Sequence, residues 1–176
     1  CAYAVMSNHT HLVLYVDDKK ANRLNDKAIV IRWRKLCKGT VLTQKYIQGE
    51  KLSKAELIFF NQTVKEYRER LSSISWFMRM LNEYIARRAN KEDNCTGRFW
   101  EGRFSSQALL DEAALAACMA YVDLNPVRAK MAKTPEESDH TSAQVRLICA
   151  KEGKQPKKLL RFAGMPRQIM PKGLPF

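Results

Sequence analysis

Apolar positions along the chain follow two periods. Residues 1–16 carry two short apolar runs, Cys1-Ala-Tyr-Ala-Val-Met6 and Leu12-Val-Leu-Tyr-Val16, on either side of the turn dipeptide Ser7-Asn8. β-Branched and aromatic residues around a tight turn predict a β-hairpin or two closely joined strands. Residues 17–27 are polar and turn-like. From there the period becomes helical. Ile29, Ile31, Trp33 and Leu36 predict a helix over 27–38, with Gly39 as its C-cap. Residues 40–52 read as a short helix and loop. Ser53-Lys-Ala-Glu56 is a capping box ahead of Leu57, Phe60, Val64, Tyr67 and Leu71, which predicts a helix over 54–71. Ile74, Phe77, Met78, Leu81, Ile85 and Ala89 form the stripe of another helix over 74–90.

The pattern then breaks. Asn94-Cys-Thr-Gly-Arg98-Phe-Trp100-Glu-Gly-Arg103-Phe104 is non-helical, and Phe104–Leu110 reads as a further strand. Asp111 is placed to cap a helix running from Glu112 to Leu124, with Glu112 in the first turn, where the helix dipole favours it. Asn125-Pro126 is expected to end or bend this helix, because a pre-proline residue is pushed out of the helical region. A short helix near 141–151 and a poorly ordered basic tail complete the reading.

Composition narrows the class. The 176 residues suffice for one domain, or a domain with an embellishment, and a hydrophobic share of 45% excludes a disordered chain. Lys and Arg number 31 against 18 Asp and Glu, a net charge of +13 that points to a polyanionic partner, most often nucleic acid. No apolar run reaches the roughly 18 residues of a membrane span, and no signal peptide is visible. The five cysteines are scattered and none forms a Cys-x-x-Cys pair, which argues against a disulfide framework and fits a reducing cytoplasm. The chain opens inside an apolar strand, so a fragment lacking its N-terminal part is expected.

Three places carry candidate chemistry. His9 and His11 are two of only three histidines. At i and i+2 on a strand they share a face, with Cα atoms roughly 6.5–7 Å apart. They are either a pair converging on one cation or satisfied structural histidines. Thr10 between them faces the other way. Arg98, Trp100 and Arg103 interleave charge with aromatic rings. That pattern suits single-stranded or distorted nucleic acid, where arginines take phosphates and rings stack on bases. It suits equally a loop that staples its rings into the core. Tyr121 and Asn125 lie one helical turn apart on one side. They are a nucleophile and a hard oxygen ligand if the helix crosses the histidine strand, or a packing anchor and a cap if it does not. The arginines at 79, 87 and 88 read as a binding face or a solvated one.

These segments resemble, in order, the motifs of the single-tyrosine HUH transposases, and most closely the REP-associated tyrosine transposases. Tyr3-Ala-Val-Met6-Ser-Asn8-His9-Thr-His11-Leu-Val-Leu is similar to the family's metal-binding hairpin. Gly97-Arg-Phe-Trp100-Glu-Gly-Arg103-Phe is similar to its Trp-x-x-Arg-Phe segment. Tyr121-Val-Asp-Leu-Asn125-Pro126 is similar to its Tyr-Ile-x-x-Asn-Pro helix. The likeness covers about half the chain. It implies a ferredoxin-like α+β palm with an antiparallel sheet, built from 1–16 and 75–135, with 17–74 as a helical insertion and 136–176 as a basic extension. It implies Mg²⁺ or Mn²⁺ held by His9, His11 and Asn125. Tyr121 is then the nucleophile that cleaves and rejoins single-stranded or hairpin DNA through a 5′-phosphotyrosine, and Arg98, Trp100, Arg103 and Arg128 contact the DNA. A bacterial, cytoplasmic, nucleoid-associated monomer or homodimer follows.

The chain departs from the family in three ways. Thr10 stands where a bulky hydrophobe is usual, 17–74 is longer than in compact members, and the strand and helix that precede the hairpin have no counterpart. Three readings remain open on the residues: the DNA-cleaving enzyme, a DNA-binding remnant without cleavage, and a metal-dependent hydrolase that would not need Tyr121.

Overall fold

The computed structural model describes residues 2–156 and 159. The expected tail beyond the last helix, and most of the expected basic extension after it, lie outside these residues. The chain mixes helices with a small antiparallel sheet, and no helix among the described residues is long and apolar enough to cross a membrane. It divides into two compact units, one made of the described residues of 1–15 and 107–176 and the other of 16–106. In this division 75–106 groups with the preceding helices, and the described part of 136–176 groups with the hairpin.

In the first unit, strands β1 (Ala2–Val5) and β2 (Thr10–Val13) pair antiparallel in the register Ala2 to Val13, Tyr3 to Leu12, Ala4 to His11 and Val5 to Thr10. The Met6 amide donates to the His9 carbonyl (2.8 Å) and closes the turn. Residues directly opposite in such a pair share a face. Ala2, Ala4 and Met6 therefore lie on the same side as Val13 and His11, and this is the buried side.

A helix spanning Glu112–Arg128, α6 in chain order, covers that face. Its alanine-rich first half has the highest helix propensity, and Asp111 caps it by accepting from the Ala114 amide (2.7 Å). Met119, Val122, Asp123 and Pro126, at i, i+3, i+4 and i+7, form its buried stripe. Small Ala2 and Ala4 keep the hairpin surface low beneath Met119 and Val122, which join them in one core.

Two expectations are corrected in this unit. Phe104–Leu110 forms no strand; residues 103–110 have no regular secondary structure. Among the described residues no neighbouring strand receives their backbone groups, and of 103–110 Leu109 docks on the hairpin–α6 core while Leu110 stays 90% exposed. Nor does Asn125-Pro126 end the helix. Proline removes one backbone donor, at a cost of about 3 kcal/mol in a helix interior. Here it falls in the last turn, its ring is buried, and the Ala129 amide still reaches the Asn125 carbonyl (2.8 Å), so the turn closes at Arg128.

The outer edge of β1 is occupied by the residues that lead into and open α7 (Ser142–Lys151). Ala4 forms an antiparallel bridge with Thr141, and the Val5 amide donates to the carbonyl of His140, a residue held at φ 60°. The Tyr3 amide donates to Ser142 Oγ (2.8 Å), and Ser142 Oγ donates to Asp123 Oδ1 (2.6 Å). Ser142 is fully buried and Asp123 nearly so. Burial pushes the Asp123 carboxyl pKa up, against the opposing pull of the Ser142 hydrogen bond and the Arg146 charge. One hydroxyl thus ties a strand, α6 and α7 together.

The second unit is helical: α1 (Asp18–Arg23), α2 (Asp26–Arg34), α3 (Val41–Gln48), α4 (Lys54–Leu71) and α5 (Ile74–Glu92). The Ser53–Glu56 capping box forms in both directions, and α4 has its expected limits. Phe60, Val64 and Tyr67 are buried with Ile29, Val30 and Trp33 of α2, Trp33 stacking on Tyr67 at 4.3 Å between centroids. Arg68 donates to the Ala21 and Leu24 carbonyls (both 2.7 Å) and to Asp26 Oδ1 (3.1 Å), which fixes the α1–α2 corner to α4. Gly39 is not the cap of α2, which ends at Arg34. It sits at φ 77° ahead of α3, where an added Cβ would meet Thr43 Oγ1 at 2.8 Å.

Ser142→Ala leaves a half-buried amide and a buried carboxylate oxygen each short of a partner. It is expected to lower stability by about 2–4 kcal/mol, measured by urea denaturation, with Ser142→Thr recovering part of the loss.

Candidate active site

The hairpin and α6 bring His9, His11, Tyr121 and Arg128 together. His9 lies just ahead of β2 and His11 within it, so the i, i+2 spacing and the shared register put both rings on the side facing α6. Their Nε2 atoms are 3.1 Å apart and the rings meet edge to face. The His11 ring packs edge to face on Tyr121, with centroids 5.6 Å apart. Tyr121, Asn125 and Arg128, at i, i+4 and i+7, form a stripe on α6 beside its buried one. The Arg128 guanidinium lies 5.3 Å from the centroid of the Tyr121 ring. Tyr121 is 45% exposed, and its hydroxyl has no hydrogen-bond partner among the described residues. A reactant can therefore reach it.

Burial, and secondly the neighbouring His9, lower the pKa of His11. The neutral imidazole this favours is the form that binds a metal. The two Nε2 atoms also fit one cation by distance. At the zinc–nitrogen length of about 2.0–2.1 Å, two nitrogens on a common ion lie about 2.9 Å apart at a right angle and about 3.3 Å apart at a tetrahedral one, and the observed 3.1 Å falls between. Asn125 is half-buried, and its Nδ2 is buried without a hydrogen-bond partner among the described residues. Its oxygen is a hard donor of the kind that completes a mixed imidazole and oxygen set. Among the described residues no group of three or more His, Cys, Asp and Glu could hold a metal. The converging donors are the two imidazoles, and Asn125 lies one helical turn from Tyr121 on α6. His140 stands apart from it: the peptide carrying its carbonyl lies against the β1 edge opposite β2.

The remaining candidates belong to the second unit. Trp100 Nε1 donates to the Asn82 carbonyl in the middle of α5 (2.9 Å), and Arg98 Nε donates to the Trp100 carbonyl (2.8 Å). Asn90 Nδ2 donates to the Gly97 carbonyl (3.0 Å). The 94–104 loop is therefore stapled to α5 through its half-buried indole. Phe99, the Arg98 side chain and Arg103 remain exposed, and Arg103 has no ion-pair or hydrogen-bond partner among the described residues. On α5, Arg87 pairs with Glu83 and Arg88 with Glu92, each at i,i+4, and Arg79 lies over the Trp76 ring. These arginines form a largely neutralised, solvated face.

Two contributors escape a reading of the sequence. Asn8 Oδ1 lies 2.6 Å from His9 Nδ1, and Asp123 holds Ser142 at the edge of β1 away from the histidine strand. Asn8 reads along the chain as a turn residue. Nothing in the spacing of 3, 123 and 142 marks them as partners.

If the histidine pair is a cation site, His9→Ala and His11→Ala each abolish saturable Mn²⁺ binding, followed by water-proton relaxation, and His140→Ala leaves it unchanged.

Compared with protein-family models, curated proteins and solved structures, this chain finds no match.

Proposed function

We propose that the protein is a metal-dependent tyrosine transposase that cleaves and rejoins single-stranded DNA through a 5′-phosphotyrosine. On this reading the hairpin and α6 are parts of a ferredoxin-like HUH palm. The observation that carries the reading is the convergence of the His9 and His11 Nε2 atoms beside an accessible Tyr121 whose ring lies under Arg128. The order of the three sequence motifs and the +13 charge support it.

His9 and His11, with the Asn125 oxygen, would hold Mg²⁺ or Mn²⁺. When bound, the divalent ion supplies positive charge to the oxygens of the scissile phosphate. Arg128 binds and orients that phosphate beside the phenol, since a guanidinium remains charged at any working pH. The Tyr121 oxygen forms a bond to phosphorus as the bond to the 3′ oxygen breaks. The phenol gives up its proton to solvent, and the departing 3′ oxygen gains one and leaves as a hydroxyl. The product ester keeps the phosphodiester bond energy, so another 3′-hydroxyl can reverse the step with no nucleotide cofactor. The edge-to-face packing on His11 holds the phenol ring at a fixed angle to the cation site. Arg98 and Arg103, with Phe99, are the groups of the other unit available to phosphates and bases.

Tyr84 is the alternative nucleophile. It is exposed on α5, and the residue four positions on is Arg88, which is paired with Glu92 and has no acceptor atom to offer a cation. Tyr121→Phe is expected to abolish the covalent adduct with single-stranded hairpin DNA and Mn²⁺ while leaving DNA binding nearly intact. Tyr84→Phe is expected to retain the adduct. An adduct that survives Tyr121→Phe and vanishes with Tyr84→Phe reassigns the nucleophile. DNA binding with no adduct in the unmodified protein makes it a DNA-binding protein without cleavage.

Replacing Arg98 and Arg103 by Ala is expected to weaken DNA binding. It should also flatten the log K against log[salt] slope by about 0.7–0.9 for each phosphate that is no longer neutralised. An unchanged slope assigns both to the loop's own structure.

A further inference from the structure

The His9 ring has a neighbour on each side. Its Nε2 faces His11 Nε2 at 3.1 Å, and its Nδ1 faces Asn8 Oδ1 at 2.6 Å. An amide oxygen only accepts hydrogen bonds, so the Nδ1 that approaches it this closely carries the proton. In a neutral imidazole the other nitrogen then bears a lone pair. We propose that Asn8 is a positioning residue that holds His9 as the Nδ1–H tautomer and aims its unprotonated Nε2 at the cation site. This inference rests on the metal-binding reading of the histidine pair.

The local geometry explains how a residue next in sequence can do this. The chain bends at Ser7-Asn8, and the Met6 amide to His9 carbonyl bond closes the bend. The Asn8 side chain thereby lies alongside the ring that follows it. Metal-binding histidines usually have such a partner on their second nitrogen, and removing it costs roughly tenfold to a hundredfold in affinity. His11 has none among the described residues; its ring is fixed by packing on Tyr121. The two ligands are thus held differently, one by a hydrogen bond and one by ring packing.

A second consequence concerns the cation-free protein. With the His9 Nε2 lone pair facing His11 at hydrogen-bond distance, His11 supplies the proton between them and is the Nε2–H tautomer. Ligation needs that nitrogen free, so His11 changes to Nδ1–H when the cation enters, with no change in total charge.

Long-range ¹H–¹⁵N correlation spectra of the full chain above pH 7 read each tautomer directly, with His140→Ala used for assignment. Without metal, His9 is expected as Nδ1–H and His11 as Nε2–H. Saturating Mg²⁺ is expected to leave His9 unchanged and to move His11 to Nδ1–H. Asn8→Ala is expected to remove the His9 preference and to weaken Mn²⁺ binding about tenfold or more. Its thermal midpoint should not move, since Asn8 is exposed. Asn8→Asp, which keeps an acceptor oxygen, is expected to restore the tautomer and the affinity.

An Nε2–H tautomer at His9 in the unmodified chain overturns the proposal, and so does Asn8→Ala binding Mn²⁺ as tightly as the unmodified chain. An unmodified chain that binds no Mn²⁺ overturns the ligand role and the metal-binding reading together. Failure of Tyr121 to form an adduct, with Mn²⁺ binding and tautomers as expected, refutes the proposed reaction alone.

Discussion

The arrangement of the candidate site depends on the buried hydroxyl of Ser142. β1 is a short strand, and a two-stranded hairpin is marginal in water by itself. Here one edge of β1 is satisfied by β2 and the other by Thr141, His140 and Ser142. Ser142 in turn donates to Asp123, on the buried stripe of α6. Asp123 is two residues from both Tyr121 and Asn125, so the group that anchors the helix to the strand edge also fixes the rotation of the helix about its axis. That rotation decides whether Tyr121 meets His11 or points to solvent.

The clamp has an electrostatic cost. The Asp123 carboxyl is pushed up by burial, so the folded chain holds a proton there more readily than the unfolded chain does. Its contribution to stability is fully present below the ordinary carboxylate pKa of 3.8 and disappears as pH rises through the raised value. His11 behaves oppositely. Its lowered pKa means that acid, from about the ordinary 6.5 downward, favours the unfolded chain. The two shifts thus have opposite signs: burial favours the protonated carboxyl at Asp123 and the neutral ring at His11. Arg146, itself pushed down by burial, lies close enough to Asp123 to favour its ionised form.

The second unit is built by different means. Its core is aromatic, with Trp33, Tyr67 and Trp76 packed together and the Arg70 guanidinium 4.2 Å from the Trp76 ring centroid. Stacked rings and a fork of Arg68 hydrogen bonds hold short helices whose own propensity is modest. The loop at 94–104 follows the same logic: its indole is a staple first, and only the exposed Arg98, Phe99 and Arg103 side chains are free to meet another molecule.

The sequence by itself determined the local elements. The hairpin, the capping box at Ser53, the cap at Asp111 and the helices near 54–71, 74–90 and 141–151 were legible, because periodicity and end signals act over one or two turns. It also marked out the candidate histidines and Tyr121, since i, i+2 and i, i+4 spacings are fixed by the backbone alone. Tertiary structure decided the rest. Phe104–Leu110 has a strand's composition but no strand partner, and pairing is a long-range event that composition does not encode. Pro126 stays in a helix because its ring is buried and the turn beyond it closes, a packing outcome rather than a propensity. The convergence of the His9 and His11 rings on Tyr121 required the helix to lie across the right face of the hairpin. That alignment is set by Tyr3, Asp123 and Ser142, which are distant in sequence and meet only in the folded core.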